Sequence, residues 1–208
     1  MNEILLCTAY FGPVQYYSKM MVSERVIIEQ FDSYQKQTYR NRCRILGGNG
    51  PIDLTIPVVK NSGQKTLLKD VRIENLTNWQ AKHWRTIVSA YNSSPFFEYY
   101  RDDFEPFFER QFDFLIDFNM QLNELLMDLL EIEADVILTD EFVKEPSVED
   151  YREVISPKFR GTDAHFVTQE YTQTFHERFG FLPNLSVVDL IFNVGPGAST
   201  ILQNCYIE

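Results

Sequence analysis

The chain has 208 residues, a formal net charge of -11, 44% hydrophobic residues and 14% aromatic residues. This composition excludes a disordered chain, and the length is sufficient to bury a large core in one domain. The acidic balance argues against a surface that binds nucleic acid non-specifically or docks on anionic membranes, because both need cationic faces.

The cysteines indicate a reducing compartment. Cys7, Cys43 and Cys205 are odd in number and far apart, so they form neither a disulfide framework nor the ligand spacing of a zinc site. Glu3 lies where a signal peptide carries basic residues, and no apolar stretch reaches membrane-spanning length. We therefore expect a cytoplasmic protein with no metal site and no membrane partner.

The first elements alternate between strand and helix. Residues 4–8 are an apolar run, ended by Gly12 and Pro13, that predicts a strand. Residues 14–21 then form a helix with Pro13 near its first turn. Residues 26–31 and 53–58 are rich in β-branched side chains, which favours two further strands.

The middle of the chain is mainly helical. Apolar side chains at helical spacing predict a helix over 77–91, with Asn78 as its N-cap. The same period predicts one long helix over 106–130. Residues 135–139 then form a buried strand that ends next to Asp140.

Two capping-box patterns mark the C-terminal part. Ser147 with Asp150 predicts a short helix to about residue 155, and Ser186 with Asp189 predicts a helix over 187–193. Together these signals predict an α/β fold: a mainly parallel open sheet of the segments 4–8, 26–31, 53–58 and 135–139, with helices on both faces. We expect one domain over 1–208, in which a mostly helical extension, 141–208, packs on an α/β core, 1–140.

The strongest local signal is a basic segment, residues 34–45, that contains no acidic residue. Its four cations are Lys36, Arg40, Arg42 and Arg44. A strand would place Arg40, Arg42 and Arg44 on one face, whereas a helix would align Lys36, Arg40 and Arg44. Such a cluster in an acidic chain suits a phosphate, a carboxylate or a sugar nucleotide. The alternative is a solvated face paired with acids such as Asp32.

The connection after the first strand is a second candidate for ligand binding. A helix N-terminus presents unpaired N–H groups, and Tyr10, Gly12 and Gln15 would line it. The alternative is a plain connection between strand and helix. We predict that at least two of the four cations face one pocket near Tyr10 and Gln15, with Asn41 adding directional hydrogen bonds.

Two residues are candidates for proton transfer. His83 lies at the edge of the apolar stripe of its helix, one turn from Trp79, and Asp140 follows a predicted parallel strand at the edge where ligand sites lie. We expect His83 to open onto the ligand pocket and to act as a base. The alternative for His83 is a packing role.

Several motifs together resemble the WbqC-like family. They are the segments Thr8–Tyr17, Tyr39–Ile45, Pro95–Phe97 and Leu182–Asn193, the residues Trp79, Lys82, His83 and Tyr91, and Gly195-Pro196. Many members have Gln-Pro-Tyr-Phe-Phe-Pro where this chain has Thr8-Ala9-Tyr10-Phe11-Gly12-Pro13.

The resemblance implies a role in bacterial O-antigen and surface-polysaccharide biosynthesis. It implies a transferase that places an acyl or aminoacyl group on a nucleotide-linked amino sugar, with a sugar nucleotide as the anionic ligand; no cofactor is identified. Two other classes stay open: a non-catalytic module that binds a nucleotide or another anion, and an assembly factor that docks a partner protein through an exposed apolar patch.

Overall fold

A computed structural model describes residues 2–59 and 65–207. The strands are β1 (Glu3–Cys7), β2 (Arg25–Glu29), β3 (Arg42–Gly47), β4 (Gly50–Thr55), β5 (Asp135–Leu138) and β6 (Glu149–Asp150). The helices are α1 (Val14–Met21), α2 (Trp79–Tyr91), α3 (Phe97–Glu109), α4 (Leu115–Leu129), α5 (His176–Phe179), α6 (Val187–Val194) and α7 (Ala198–Cys205).

A parallel sheet with the strand order β5-β2-β1-β6 forms the centre of the fold. β1 pairs with β2 in the register Leu5 to Ile27, and β2 pairs with β5 in the register Val26 to Val136. β1 has neighbours on both sides, and Ile4, Leu5 and Leu6 are buried, as the continuous apolar run predicted. The expected α/β fold with a parallel sheet is confirmed.

One of the four strands predicted for that sheet, residues 53–58, is wrong. Residues 53–58 do not join it; β4 pairs instead with β3 in a separate antiparallel hairpin. The connection Gly47-Gly48-Asn49-Gly50 explains this, since Gly50 has a φ of +113° that allows the chain to reverse tightly. An antiparallel pair needs only such a turn, whereas a parallel pair needs a long crossover.

The long helix expected over 106–130 is two helices. α3 ends at Glu109 and α4 begins at Leu115. The segment between them bonds outside the helices, since Ile73 N donates to the Asp113 carbonyl and Leu115 N donates to the Val71 carbonyl. These tertiary hydrogen bonds hold the segment between α3 and α4 outside a helix, although the helical period of the sequence predicted one uninterrupted helix. The helix expected over 77–91 is confirmed as α2, preceded by Asn78.

The C-terminal part contributes to the sheet as well as to the helices. The helix predicted to start near Ser147 is wrong, because Glu149 and Asp150 instead form edge strand β6, opposite Ile4 and Leu5 of β1. The helix predicted over 187–193 is confirmed as α6. Buried residues from the sheet, the hairpin and the helices form one continuous cluster. Among the described residues, no helix is both long and apolar enough to cross a membrane.

Candidate functional site

A narrow opening, which we call the sheet-edge crevice, lies at the carboxyl ends of β1 and β6. Its lining includes Cys7, Thr8 and Ala9 after β1 and Tyr151 and Arg152 after β6. From β1 the chain adds β2 and β5 on one side, whereas β6 lies on the other side. Ligands of open parallel sheets bind outside the carboxyl ends of the strands, at such a change of direction.

Arg40 and Cys7 meet inside this crevice. Arg40 is 3% exposed, and its Nη2 donates to Asp32 Oδ2 at 2.6 Å and to Cys7 Sγ at 2.9 Å. Burial raises the pKa of the Cys7 thiol to about 11, although the Arg40 guanidinium opposes that shift. The thiol is therefore protonated near neutral pH. It contacts Arg40 as a neutral group and is not a thiolate nucleophile.

Arg152 is the second guanidinium of the crevice. It donates to Glu29 Oε2 at 3.2 Å and to Asp150 Oδ2 at 2.7 Å. These ion pairs join the carboxyl end of β2 to the segment after β6, and hydrogen bonding to Asp150 raises the pKa of Arg152. The crevice volume open to water-sized groups is about 20 Å³, which suits one small functional group.

A wider opening, the basic cleft, adjoins the hairpin. Arg42 and Arg44 alternate on β3 and therefore point to the same face. Both bond Asp53 of β4, Arg42 at 3.1 Å and Arg44 at 2.8 Å, and Asp53 lies directly opposite Arg44 in the strand register. The hydrogen bond to Arg44 lowers the pKa of Asp53, so the two guanidinium groups share one ionised carboxylate.

Two further cations complete the basic cleft from the segment after β6. Lys158 Nζ donates to the Lys36 carbonyl at 2.6 Å, and Arg160 Nη1 donates to the Pro157 carbonyl at 3.1 Å. Neither forms an ion pair with a carboxylate in the part of the chain that the structure describes. The cleft has a volume of about 530 Å³. The described residues that line it include four cations and one carboxylate.

The two openings adjoin each other. Tyr39 and Ser156 line both the sheet-edge crevice and the basic cleft. A ligand of ordinary small-molecule size in the basic cleft would therefore lie beside these two side chains, next to the mouth of the crevice.

The structure separates the four cations of the basic segment. Arg42 and Arg44 face one cleft, as the strand alternative predicted, but Arg40 precedes β3 and turns into the crevice. Lys36 is exposed and contributes its carbonyl to Lys158. Asn41 is 4% exposed, and its Nδ2 donates to the Ile56 carbonyl at 2.7 Å, so it ties the hairpin together.

The site predicted around Tyr10 and Gln15 is occupied by the protein itself. Tyr10 is fully buried, and the Gln15 side chain donates to Asp163 Oδ2 at 2.8 Å. The first N–H groups of α1 are also paired: Val14 N donates to the Leu185 carbonyl and Gln15 N donates to Asn184 Oδ1, each at 2.9 Å. Two of the four cations, Arg42 and Arg44, do face one cleft, but neither Tyr10 nor Gln15 lines it, because residues 184–185 fill that helix N-terminus. The substrate-binding roles of Tyr10 and Gln15 stay predictions.

His83 lines neither the sheet-edge crevice nor the basic cleft. It is 7% exposed, its Nδ1 lies 2.9 Å from the Tyr10 hydroxyl, and its ring packs against Trp79. Burial lowers the pKa of His83 to about 4, although a hydrogen bond to the backbone of Thr55 opposes that shift. The expected position at a pocket is wrong, and its role as a base stays a prediction.

Asp140 is exposed after β5, which is the opposite edge of the sheet from β6. β2 and β1 lie between it and the crevice, and neither opening is lined by it. Its catalytic role also stays a prediction. Among the described residues, no three His, Cys, Asp or Glu side chains are grouped to hold a metal ion.

Sequence reasoning missed the contribution of the segment after β6. Arg152, Glu153, Lys158 and Arg160 line the two openings, but the segment has the composition of an ordinary loop. The available signal was the run Lys158-Phe159-Arg160, which places two cations close together in an acidic chain.

Comparisons with known proteins agree with the resemblance seen in the sequence. The model of the WbqC-like protein family matches residues 8–156, which include β2 to β6 and most residues of both openings, whereas β1, Lys158 and Arg160 lie outside the matched range. An uncharacterized protein, Rv1507c of Mycobacterium tuberculosis, is 26% identical over 99% of each chain. No solved structure matches the chain. Since the family model covers most of its length, the chain belongs to the WbqC-like protein family.

Proposed function

We propose that the protein is a cytoplasmic transferase of bacterial surface-polysaccharide biosynthesis that binds a sugar nucleotide in the basic cleft. The reaction we favour transfers an acyl or aminoacyl group to the amine of a nucleotide-linked amino sugar. The family resemblance supports the pathway and the reaction class, and the cleft supports the anionic ligand.

One observation carries the proposal: Arg42, Arg44, Lys158 and Arg160 line one cleft, and Asp53 is the single carboxylate among the described residues that line it. After Asp53 has neutralised one guanidinium, three positive charges face the same space. Such an excess in a chain of net charge -11 is complementary to a diphosphate. The volume of about 530 Å³ is within the range of small-molecule sites.

A non-catalytic binding module is the second candidate, and two observations favour it. The predicted base His83 is buried away from the cleft, and the Cys7 thiol is protonated near neutral pH. Both candidates need the same anion site, so binding tests the shared part and turnover separates the two.

The experiment is calorimetric titration with inorganic diphosphate at low ionic strength, comparing the wild type with the double variant Arg44→Gln/Arg160→Gln. A hydrogen bond to a charged group is worth about 1.5–3 kcal/mol, so each lost guanidinium should weaken binding by about tenfold or more. Arg85→Gln is the matched control, because Arg85 is an exposed cation on α2 that lines a different groove.

Undiminished diphosphate affinity in the double variant, or an equal loss in the control, would refute the assignment of the anion to the basic cleft. With binding established, sugar nucleotides are then incubated with acyl and aminoacyl donors, and products are followed by mass spectrometry. Transfer supports the enzyme, and binding without transfer across the donor panel supports the module.

A further inference from the structure

We infer that Glu153 selects ligands that carry a small cationic group, a primary ammonium, beside their anionic group. This inference rests on the proposed anion site and adds a second recognition point to it. The two openings differ in which of their charges are already paired and in their size.

In the sheet-edge crevice both guanidinium groups are already paired. Arg40 bonds Asp32 at 2.6 Å, and Arg152 bonds both Glu29 and Asp150. Three carboxylates therefore hold two cations even before Glu153 is counted, so the neighbourhood has no positive charge left for an anionic ligand.

Among the described residues that line the crevice itself, Glu153 is the one carboxylate. Its side chain is exposed, and within the described part of the chain it has neither an ion pair nor a hydrogen bond. Counted with the ion-pair partners of its lining residues, the crevice has two guanidinium groups against the carboxylates of Asp32, Glu29, Asp150 and Glu153. The described residues that line the adjoining basic cleft include four cations and one carboxylate.

Opposite charge excesses therefore meet at Tyr39 and Ser156, which line both openings. A ligand with an anionic end in the basic cleft and a cationic end at Glu153 satisfies both excesses, whereas a uniformly anionic ligand would meet repulsion at the crevice. The crevice volume of about 20 Å³ has room for about one water-sized group, which favours a compact ammonium over a trimethylammonium group.

The test uses competition against inorganic diphosphate by ω-aminoalkyl diphosphates with chains of two to six carbons. Matched ω-hydroxyalkyl diphosphates differ in one charged group, and ω-trimethylammonioalkyl diphosphates keep the charge but enlarge the group. For at least one chain length, the wild type should bind the amine about two- to fivefold more tightly than the alcohol and than the trimethylammonium compound.

Glu153→Gln should abolish the preference for the amine and leave the affinity for inorganic diphosphate unchanged. Glu124→Gln is the control, because Glu124 is an exposed carboxylate in the groove beside β5 at the other edge of the sheet, and it should keep the preference. Rescue of the preference by Glu153→Asp would show that the carboxylate itself is responsible.

The inference fails on its own if diphosphate binds through the basic cleft but amine and alcohol bind equally well at every chain length. An amine preference that persists in Glu153→Gln also overturns it. Absence of diphosphate binding to the wild type overturns the proposed anion site, and the inference that rests on it falls with that site.

Discussion

Asp189 should make the free energy of unfolding fall as the pH rises through the weakly acidic range. The residue is 1% exposed on α6, and its carboxylate accepts hydrogen bonds from the hydroxyls of Tyr91 and Tyr171, both at 2.8 Å, and from Gln173 Nε2 at 3.0 Å. Burial raises the pKa of Asp189 from 3.8 to about 6, although the three hydrogen bonds oppose the shift.

The sign follows from the two proton affinities. Between pH 3.8 and about 6 the folded protein keeps the Asp189 proton while the unfolded chain has released it, so raising the pH favours unfolding. The whole shift corresponds to about 3 kcal/mol, and about 2 kcal/mol of it falls between pH 4.5 and 7.5. This contribution is fully present below pH 3.8 and is lost above about pH 6.

The assay is urea unfolding of the wild type and Asp189→Asn at several pH values from about 4.5 to 7.5. Subtracting the two free energies removes the titrations that both proteins share. The wild type should lose about 2 kcal/mol relative to Asp189→Asn over this range. Asp128→Asn, which alters an exposed carboxylate on α4, is the control for a general change in charge. A difference that stays constant with pH, or that rises, would refute the reasoning.

Two further predictions concern Lys19 and Cys7. Lys19 is completely buried and bonds Asp163 at 3.0 Å, so Lys19→Met should cost about 3–5 kcal/mol in urea unfolding by leaving a buried carboxylate uncompensated. The double variant Lys19→Met/Asp163→Leu should lose less than the two single losses added together, and simple additivity would contradict the coupling. At pH 8, iodoacetamide should alkylate Cys7 about 100-fold more slowly in the folded protein than in urea, because the pKa of its thiol is about 11 instead of 9.0; equal rates measured by mass spectrometry would contradict this.

The sequence was most informative for segments whose own apolar pattern is sufficient to define the element. The apolar run that became β1 is continuous, which fits a strand flanked on both sides in a parallel sheet. The helix α2 has an apolar stripe at helical spacing, and packing of that stripe confirms the predicted helix. Local periodicity sufficed for these elements, since the side chains that pack against the core recur at the period of the backbone.

Long-range pairing was not predictable from the same local signals. The composition of residues 53–58 favours a strand but does not show which sheet the strand joins. The glycine-rich turn before them allows the antiparallel hairpin with β3. Glu149 and Asp150 have a helix-capping pattern, yet backbone bonds to β1 make them an edge strand. Tertiary hydrogen bonds outweighed a local preference in this case, because capping is worth only about 1 kcal/mol.

The same distinction applies to the candidate site. By itself the sequence determined that the chain is acidic, that four cations cluster in one segment, and that Arg42 and Arg44 share a face if that segment is a strand. Only the tertiary structure decided that Arg40 turns away to Asp32, that residues 184–185 fill the N-terminus of α1, and that Lys158 and Arg160 complete the basic cleft from more than a hundred residues along the chain. The physical reason is that composition and period act on neighbouring residues, whereas a cleft is made by side chains that folding brings together.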